Sequence, residues 1–311
     1  IIAAGGTVFV GGALAFATYT EKPRIGLRQA FLMTATCWLA AGIFASLPFY
    51  LMSVPLSFTD AVFEAMSGIT TTGSTVMIGL DHAPAGILLW RALLQWMGGI
   101  GIIVTAIAIL PMLQVGGMQL FRTESSSRTE KALPRAAPLA GWIASIYASL
   151  TAIWALMLWM AGMGPFDAIA HAMTTIATGG FSTSDQSIGA FQSPAIHWII
   201  TAGMIAGSLP FVLYLQALRG NAKPLLMDTQ IRWFIGTLGT VIIGLTAAQM
   251  AFVDQDPLTA LRLGAFNVTS IMTGTGYATD GYDRWGSFSP ATFFVVMFIG
   301  GCAGSTTCGI K

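Results

Sequence analysis

Charge is what this 311-residue chain has least of: Asp, Glu, Lys and Arg together make up 9% of it, against about a quarter of an ordinary soluble domain. That scarcity, beside 55% hydrophobic residues, excludes a soluble globular domain and makes the chain an integral membrane protein. Cysteine is scarcer still, with three residues. Cys37, Cys302 and Cys308 lie in or beside apolar runs without CxxC spacing, so neither a disulfide framework nor a zinc site is suggested, and all three read as packing residues. Nothing matches GxxxxGK[ST], and the "GGIGII" stretch from Gly98 to Ile103 lacks a preceding strand, so the chain has no visible means of using ATP or NAD. Short alternating strands are missing too, which argues against a β-barrel. The first apolar run begins at Ile1 without a Met or a basic flank, so no signal peptide is read, and the chain looks like part of something longer.

What is present is a series of apolar runs near the roughly 20 residues a membrane helix needs. They fall at 2–20, 29–52, 86–110, 139–163, 194–218, 232–252 and 290–303, and helices therefore carry the fold. Most bases gather on one side of these spans: Lys22, Arg24 and Arg28, then Arg122, Arg128, Lys131 and Arg135, then Arg219, Lys223 and Arg232, and finally Lys311. The other side keeps Arg91, Arg262 and Arg284 with most of the acids, among them Asp60, Glu64, Asp81, Asp167, Asp185, Asp254, Asp256, Asp280 and Asp283. The bias of Lys and Arg toward cytoplasmic loops puts the basic side inside. An acidic outer face raises the local concentration of cations.

Three outer segments are too polar to cross the membrane and too long for turns. Matched on their glycines, they are copies: "DAVFEAMSGITTTGSTV" from Asp60, "DAIAHAMTTIATGGFST" from Asp167 and "LGAFNVTSIMTGTGYAT" from Leu263. Gly73, Gly180 and Gly276 coincide, as do Ser67, Thr174 and Ser270. Each glycine is followed by a span with a proline near its start, Pro84, Pro194 and Pro290, and a small-residue break, "WMGGIGI", "MIAGSLPF" and "FIGGCAGS". A unit of span, short helix, glycine loop and span is thus repeated three times.

The segment before each glycine reads as a helix of about 12 residues, too short to span and suited to a re-entrant element. Irregular backbone at membrane depth is tolerated where it is buried in protein or lines water, so the glycine loops face a shared aqueous axis. A Thr/Gly segment without bulky side chains lets carbonyls turn inward, and a ring of carbonyls can replace the hydration shell of an alkali cation. Such a site, oxygen-only and without fixed charge, suits a monovalent ion better than calcium or magnesium. For one loop alone, close packing of small residues is the competing account; three copies at matching positions favour the filter. His171 aligns with Glu64 and Asn267, which makes it a polar position of the short helix rather than a catalytic or metal-binding group. Arg262 is a candidate to tie its short helix to Asp254 or Asp256.

With "EAMSGITTTGST", "HAMTTIATGGFS", "FNVTSIMTGTGYA" and "MFIGGCAGSTTCGIK", nearly the whole chain resembles the TrkH/KtrB superfamily of potassium-uptake proteins. The long basic loop and "GGCAGST" point to the TrkH branch. The resemblance implies an all-α membrane protein with repeats of helix, pore helix, filter loop and helix around a pseudo-fourfold pore. Three of the four repeats would be present, with the fourth and at least one N-terminal helix outside this chain. The expected layout is an extra helix and turn at 1–26, repeats at 27–115, 139–222 and 223–311, and a cytoplasmic loop at 116–138. Within that loop the polar, charged stretch from Phe121 to Arg135 reads either as a contact surface or as an ordinary solvated connection.

The implied K⁺-binding filter is Thr70, Thr71, Thr72 and Gly73 with Ala177, Thr178, Gly179 and Gly180, and Thr273, Gly274, Thr275 and Gly276. The "GGCAGSTTCGIK" segment belongs to the third repeat and resembles the family's intramembrane gate loop, with Gly300, Gly301, Gly304, Ser305, Thr306, Thr307 and Gly309 as its residues. Cys308 stands where the family usually has glycine. The resemblance further implies K⁺ as the transported ion with no organic cofactor, a homodimer in a bacterial inner membrane with the filter loops outside, and a nucleotide-binding TrkA-like regulatory subunit on the cytoplasmic face. It implies no nucleic-acid partner. A Na⁺-coupled or weakly selective K⁺/Na⁺ translocator is the nearest alternative. An intramembrane hydrolase using His171 and a non-conducting scaffold are alternatives of another class.

Overall fold

The computed structural model describes residues 2–19, 27–52, 56–113, 133–286 and 288–310. The basic segment from Phe121 to Arg135 therefore falls, up to residue 132, outside the described residues. Helices carry the fold among the described residues, and the β structure there is one isolated bridge between Ile299 and Ile310. After α1 (Ile2–Ala17), the longest elements are α2 (Leu27–Tyr50), α4 (Ala85–Leu113), α5 (Leu133–Met160) and α10 (Thr229–Phe252). At about 1.5 Å per residue, the 24 residues of α2 or α10 reach beyond the roughly 30 Å of a bilayer core. Among the described residues, three stretches, Leu32–Tyr50, Leu139–Met160 and Thr229–Phe252, are long and apolar enough to cross a membrane. Large apolar side chains on their outer faces, such as Trp142, Leu156, Trp159 and Ile243, are exposed, as lipid contact requires.

A further span is broken. The apolar run over 194–218 forms α7 (Pro194–Gly207) and α8 (Phe211–Leu218), bent by 93° across Gly207 to Pro210. Pro210 has no N–H to continue a helix, and the groups the break frees are met by the C-terminal loop. The N–H of Cys302 donates to Ser208 O at 3.0 Å, that of Thr306 to Gly207 O at 3.2 Å, and that of Phe211 to Gly304 O at 3.1 Å. The apolar run over 290–303 is helical for a shorter stretch than its hydropathy suggests, as α12 (Phe288–Val296). Beyond it Gly300 and Gly309 lie backbone to backbone, close enough that a Cβ on Gly300 would overlap Cys308 O.

Three short helices alternate with the spans: α3 (Phe58–Ile69), α6 (Pro165–Ile176) and α11 (Pro257–Met272). The first two have 12 residues each, about 18 Å, which cannot cross a bilayer. Their starts are written locally. Ser57 Oγ accepts the N–H of Asp60, Asp256 accepts that of Thr259, and Pro165 and Pro257 occupy the first turn, where a missing N–H is harmless. Asp256 thus serves as an N-cap, and Arg262 forms no ion pair with it or with Asp254. Each short helix is cradled by the spans before and after it, α3 by α2 and α4, α6 by α5 and α7, α11 by α10 and α12; α6 also meets α4, and α11 meets α7.

Buried clusters hold this arrangement, three of them with a short helix between its two neighbouring spans. Phe49, Ala61, Ala65 and Leu94 join α2, α3 and α4. Leu158, Ala168, Ala172, Ile200, Met204 and Phe266 join α5, α6, α7 and α11. Phe234, Leu238, Leu245, Leu263, Val268 and Phe293 join α10, α11 and α12. Small residues in two outgoing spans bring them against the ends of their short helices: a Cβ on Gly98 would overlap Ile69 O, and one on Gly207 would lie 2.7 Å from Ile176 O.

Candidate functional site

The three short helices end in one backbone path. The N–H groups of Thr72, Gly179 and Thr275 each donate at 2.9 Å to a carbonyl five residues back, those of Ser67, Thr174 and Ser270. That closure needs left-handed residues, and they occur in register. Thr71, Thr178 and Gly274 have φ of 56°, 49° and 72°, and Gly73, Gly180 and Gly276 have 83°, 79° and 85°. Ser67 Oγ donates to Ser74 O at 2.5 Å and Ser270 Oγ to Tyr277 O at 2.7 Å. Thr174, at the matching place, bonds instead to the hydroxyl of Tyr277 in the third loop.

A second set of matched contacts ties each short helix to the chain leaving its loop. Glu64 accepts the Thr75 hydroxyl at 2.9 Å and the Val76 N–H at 3.1 Å. His171 Nε2 lies 3.0 Å from Ser182 Oγ while its Nδ1 meets Asp167 O at 2.8 Å. Asn267 Nδ2 donates to Thr279 Oγ1 at 2.7 Å. All three side chains are buried. An acid, an imidazole and an amide thus do the same job, which is a clamp on the loop.

The loops converge. A Cβ on Gly73 would overlap the carbonyl oxygen of Gly179 and lie 3.4 Å from that of Thr275, and a Cβ on Gly180 would overlap Thr275 O. On the far side the contacts stop. Gly276 has nothing within 4 Å of such a Cβ, and Gly274 has Cys308 Cβ at 3.9 Å. Thr70 to Gly73, Ala177 to Gly180 and Thr273 to Gly276 are thus brought together as an open arc. The hydroxyls in it are mostly paired among themselves, Thr70 with Thr72 at 2.8 Å and Thr273 with Thr275 at 2.7 Å. Among the described residues no group of three or more His, Cys, Asp or Glu could hold a metal ion. What the arc offers a ligand is neutral oxygen, from carbonyls and hydroxyls, which matches the coordination preference of a large monovalent cation.

The loop after α12 lies against the arc. Thr306 Oγ1 sits 2.9 Å from Gly207 O, 3.1 Å from Ile176 O and 3.0 Å from the hydroxyl of Thr178, which donates to it. Gly304 and Gly309 have φ of 77° and 94°, Ser305 Oγ pairs with Thr307 Oγ1 at 2.8 Å, and a Cβ on Gly301 would lie 2.6 Å from Thr307 Oγ1. Ser305, Thr306 and Thr307 are buried, whereas Cys308 is exposed.

Two residues without an assigned part in the sequence reading stand at the centre of the site. Arg91 Nε donates to Glu64 Oε1 at 2.8 Å, and Gln95 Nε2 donates to Gly179 O at 2.6 Å. Both belong to α4, about one turn apart in an apolar run; Arg91, an ionisable residue in such a run, carries a signal of its own in the sequence, and Gln95 carries none.

Residues 3–311 match the family model described as "TrkH: Cation transport protein". The Trk system potassium uptake protein TrkI of Halomonas elongata is 46% identical over 284 residues, 91% of this chain and 58% of that protein. The Trk system potassium uptake protein TrkH of Escherichia coli is 42% identical over 97% of this chain and 64% of its own length. The crystal structure of the potassium transporter TrkH from Vibrio parahaemolyticus superposes with a TM-score of 0.88 at 38% identity, covering 97% of this chain and 63% of that one. The chain therefore spans about three fifths of the length of these relatives.

Proposed function

The chain belongs to the TrkH family of cation transport proteins, and from that premise we propose that it supplies three of the four staves of a K⁺ uptake pore. The observation that carries the reading is the meeting of three loops of matching backbone path, whose glycines at 73 and 180 press on a neighbouring loop's carbonyl. K⁺ loses its water to carbonyl oxygens of Thr70 to Gly73, Ala177 to Gly180 and Thr273 to Gly276, and the neutral site offers a divalent ion no charge to offset its heavier dehydration cost. The open side beside Gly276 takes the fourth stave from sequence outside this chain, in keeping with the greater length of the relatives. Gly300 to Gly309 form a gate beneath the arc, held by the α7–α8 break.

The same reading gives a homodimer in the bacterial inner membrane, basic loops in the cytoplasm, filter loops outside, and regulation by a nucleotide-binding TrkA-like subunit. The differing sequences of the loops, Thr-Thr-Thr-Gly, Ala-Thr-Gly-Gly and Thr-Gly-Thr-Gly, support a second reading as a weakly selective K⁺/Na⁺ translocator. A hydrolase is less well supported. Although His171 meets Ser182, the imidazole's other nitrogen faces a main-chain carbonyl, the carboxylate of Asp167 is engaged by Thr183 at 2.7 Å, and Glu64 and Asn267 make the equivalent clamps.

Potassium uptake by the full-length gene product in a K⁺-uptake-deficient bacterium tests the pore. Gly73→Ser, which drives a side chain into the Gly179 carbonyl, abolishes uptake. His171→Asn, which installs the residue the third loop carries at that place, retains it. The opposite pattern favours the enzyme.

A further inference from the structure

We propose that Arg91 and Gln95 of α4 are positioning residues that fix the spacing of the first and second carbonyl loops and thereby the discrimination between K⁺ and Na⁺. The proposal rests on the pore reading above and names the part of the scaffold that carries its selectivity. Neither residue lies in a loop, yet both reach the second one from the first unit's outgoing span. Gln95 is fully buried and its amide brackets the second loop: Nε2–H donates to Gly179 O at 2.6 Å and Oε1 accepts the Phe181 N–H at 2.9 Å. The Gly179 carbonyl is also the atom that a Cβ on Gly73 would strike. Gln95 therefore holds the oxygen at the point where the first and second loops come closest.

Arg91, also buried, extends the bracket by one residue and joins it to the first loop. Nη1 donates to Ser182 O at 2.8 Å, Nη2 to Thr75 Oγ1 at 3.1 Å and Nε to Glu64 at 2.8 Å, while the guanidinium lies 4.0 Å from the centre of the Phe181 ring. Glu64 in turn holds Thr75 and Val76. The planar fork thus locks the chain leaving the first loop to the chain leaving the second. Nearby, Asp185 of the second unit accepts the Leu80 N–H of the first at 3.0 Å.

The seam between the second and third loops is built differently. Its contacts are neutral: the Thr174 and Tyr277 hydroxyls, the Ala278 N–H to Ser187 Oγ at 3.2 Å, and the Gly189 N–H to Ala278 O at 3.1 Å. Arg91 with Glu64 is the one ion pair among the described residues. A buried pair is a weak route to stability, since apolar side chains of similar volume often serve as well. What it supplies is fixed geometry, and a site that discriminates between ligands of the same charge must hold its groups to within about 0.5 Å.

Arg91→Lys removes the fork and keeps the charge. Gln95→Met keeps the length and removes both amide bonds to the second loop. Each is made in the full-length gene product and reconstituted in liposomes, with K⁺ and Na⁺ uptake measured separately per amount of folded protein, beside Gly73→Ser. Each variant is expected to lower the K⁺-to-Na⁺ uptake ratio by about tenfold or more, since a misplacement of about 1 Å can cost about a hundredfold. A role in stability alone lowers the yield of folded protein and leaves the ratio fixed. Should Arg91→Lys fail to insert, the double variant Glu64→Leu with Arg91→Met replaces the pair by apolar volume and is read in the same way. An unchanged ratio in folded variants, with Gly73→Ser inactive, overturns the proposal. A Gly73→Ser protein that still conducts with the parental ratio overturns the pore reading itself, and the proposal with it.

Discussion

Thr71 and Thr178 hold φ of 56° and 49°, a region that β-branched residues avoid and that costs on the order of 1–3 kcal/mol where surrounding structure enforces it. The Thr71 hydroxyl donates to the preceding Thr70 O at 2.7 Å, the Thr178 hydroxyl lies 2.8 Å from Ala177 O as well as 3.0 Å from Thr306 Oγ1, and the tightly closed turn fixes the rest. The glycines two residues on face a harder constraint, because conformation and space both exclude a side chain. Gly79 separates the two effects: its φ is 74°, yet a Cβ there meets nothing within 4 Å. Gly180→Ala, whose new carbon overlaps Thr275 O, is therefore expected to lower the melting temperature in detergent and the K⁺ uptake well below those of Gly79→Ala. Gly79→Ala carries the left-handed cost alone, about 1–2 kcal/mol. Equal effects of the two would mean that the convergence of the loops contributes nothing.

At the scale of elements, the α7–α8 break and the loop after α12 are complementary halves of one joint. Pro210 ends one helix, and the freed carbonyl of Gly207 is taken by the N–H and hydroxyl of Thr306. Thr306→Val removes the hydroxyl and its contact with Ile176 O, while the backbone N–H still holds Gly207 O, a loss of about 1–3 kcal/mol for a buried carbonyl left unpaired. Cys302, buried in the same loop, reports the outcome beside exposed Cys308. A thiol reagent is expected to label Cys302 faster in Thr306→Val while Cys308 labelling stays constant, and an unchanged Cys302 rate would exclude Thr306 as the anchor. Much of this scale was legible in the sequence. The short helices α3, α6 and α11 follow from three matching segments too polar and too short to span, and "MIAGSLPF" marks the break because Gly and Pro write it locally. The 93° angle does not follow from those residues, since the C-terminal loop sets where α8 goes. Arg91 and Gln95 stayed hidden for the same reason: their partners in the second loop are 84 to 91 residues away in sequence, and no local pattern announces a contact made across two units.

At the scale of the whole molecule the arc is asymmetric. The first two loops each press a glycine on the next loop's carbonyl, whereas Gly276 faces open space, though its φ of 85° matches theirs. An arc with one open side leaves an ion partly hydrated and gives it no closed path, so the 311-residue chain expressed by itself is expected not to restore growth of a K⁺-uptake-deficient host at low K⁺. Gly276 then becomes a probe of closure. In the chain alone Gly276→Ala carries the left-handed backbone cost, comparable to Gly79→Ala. In a protein whose fourth stave packs on Gly276, the same change drives a carbon into a carbonyl and is expected to match Gly180→Ala in lost stability and uptake. Measuring both substitutions in the full-length gene product decides between a closed ring and an open one. If Gly276→Ala remains as mild as Gly79→Ala there, no stave lies against the third loop and the fourfold reading fails; growth rescue by the chain alone would sink it equally, because three staves would then suffice.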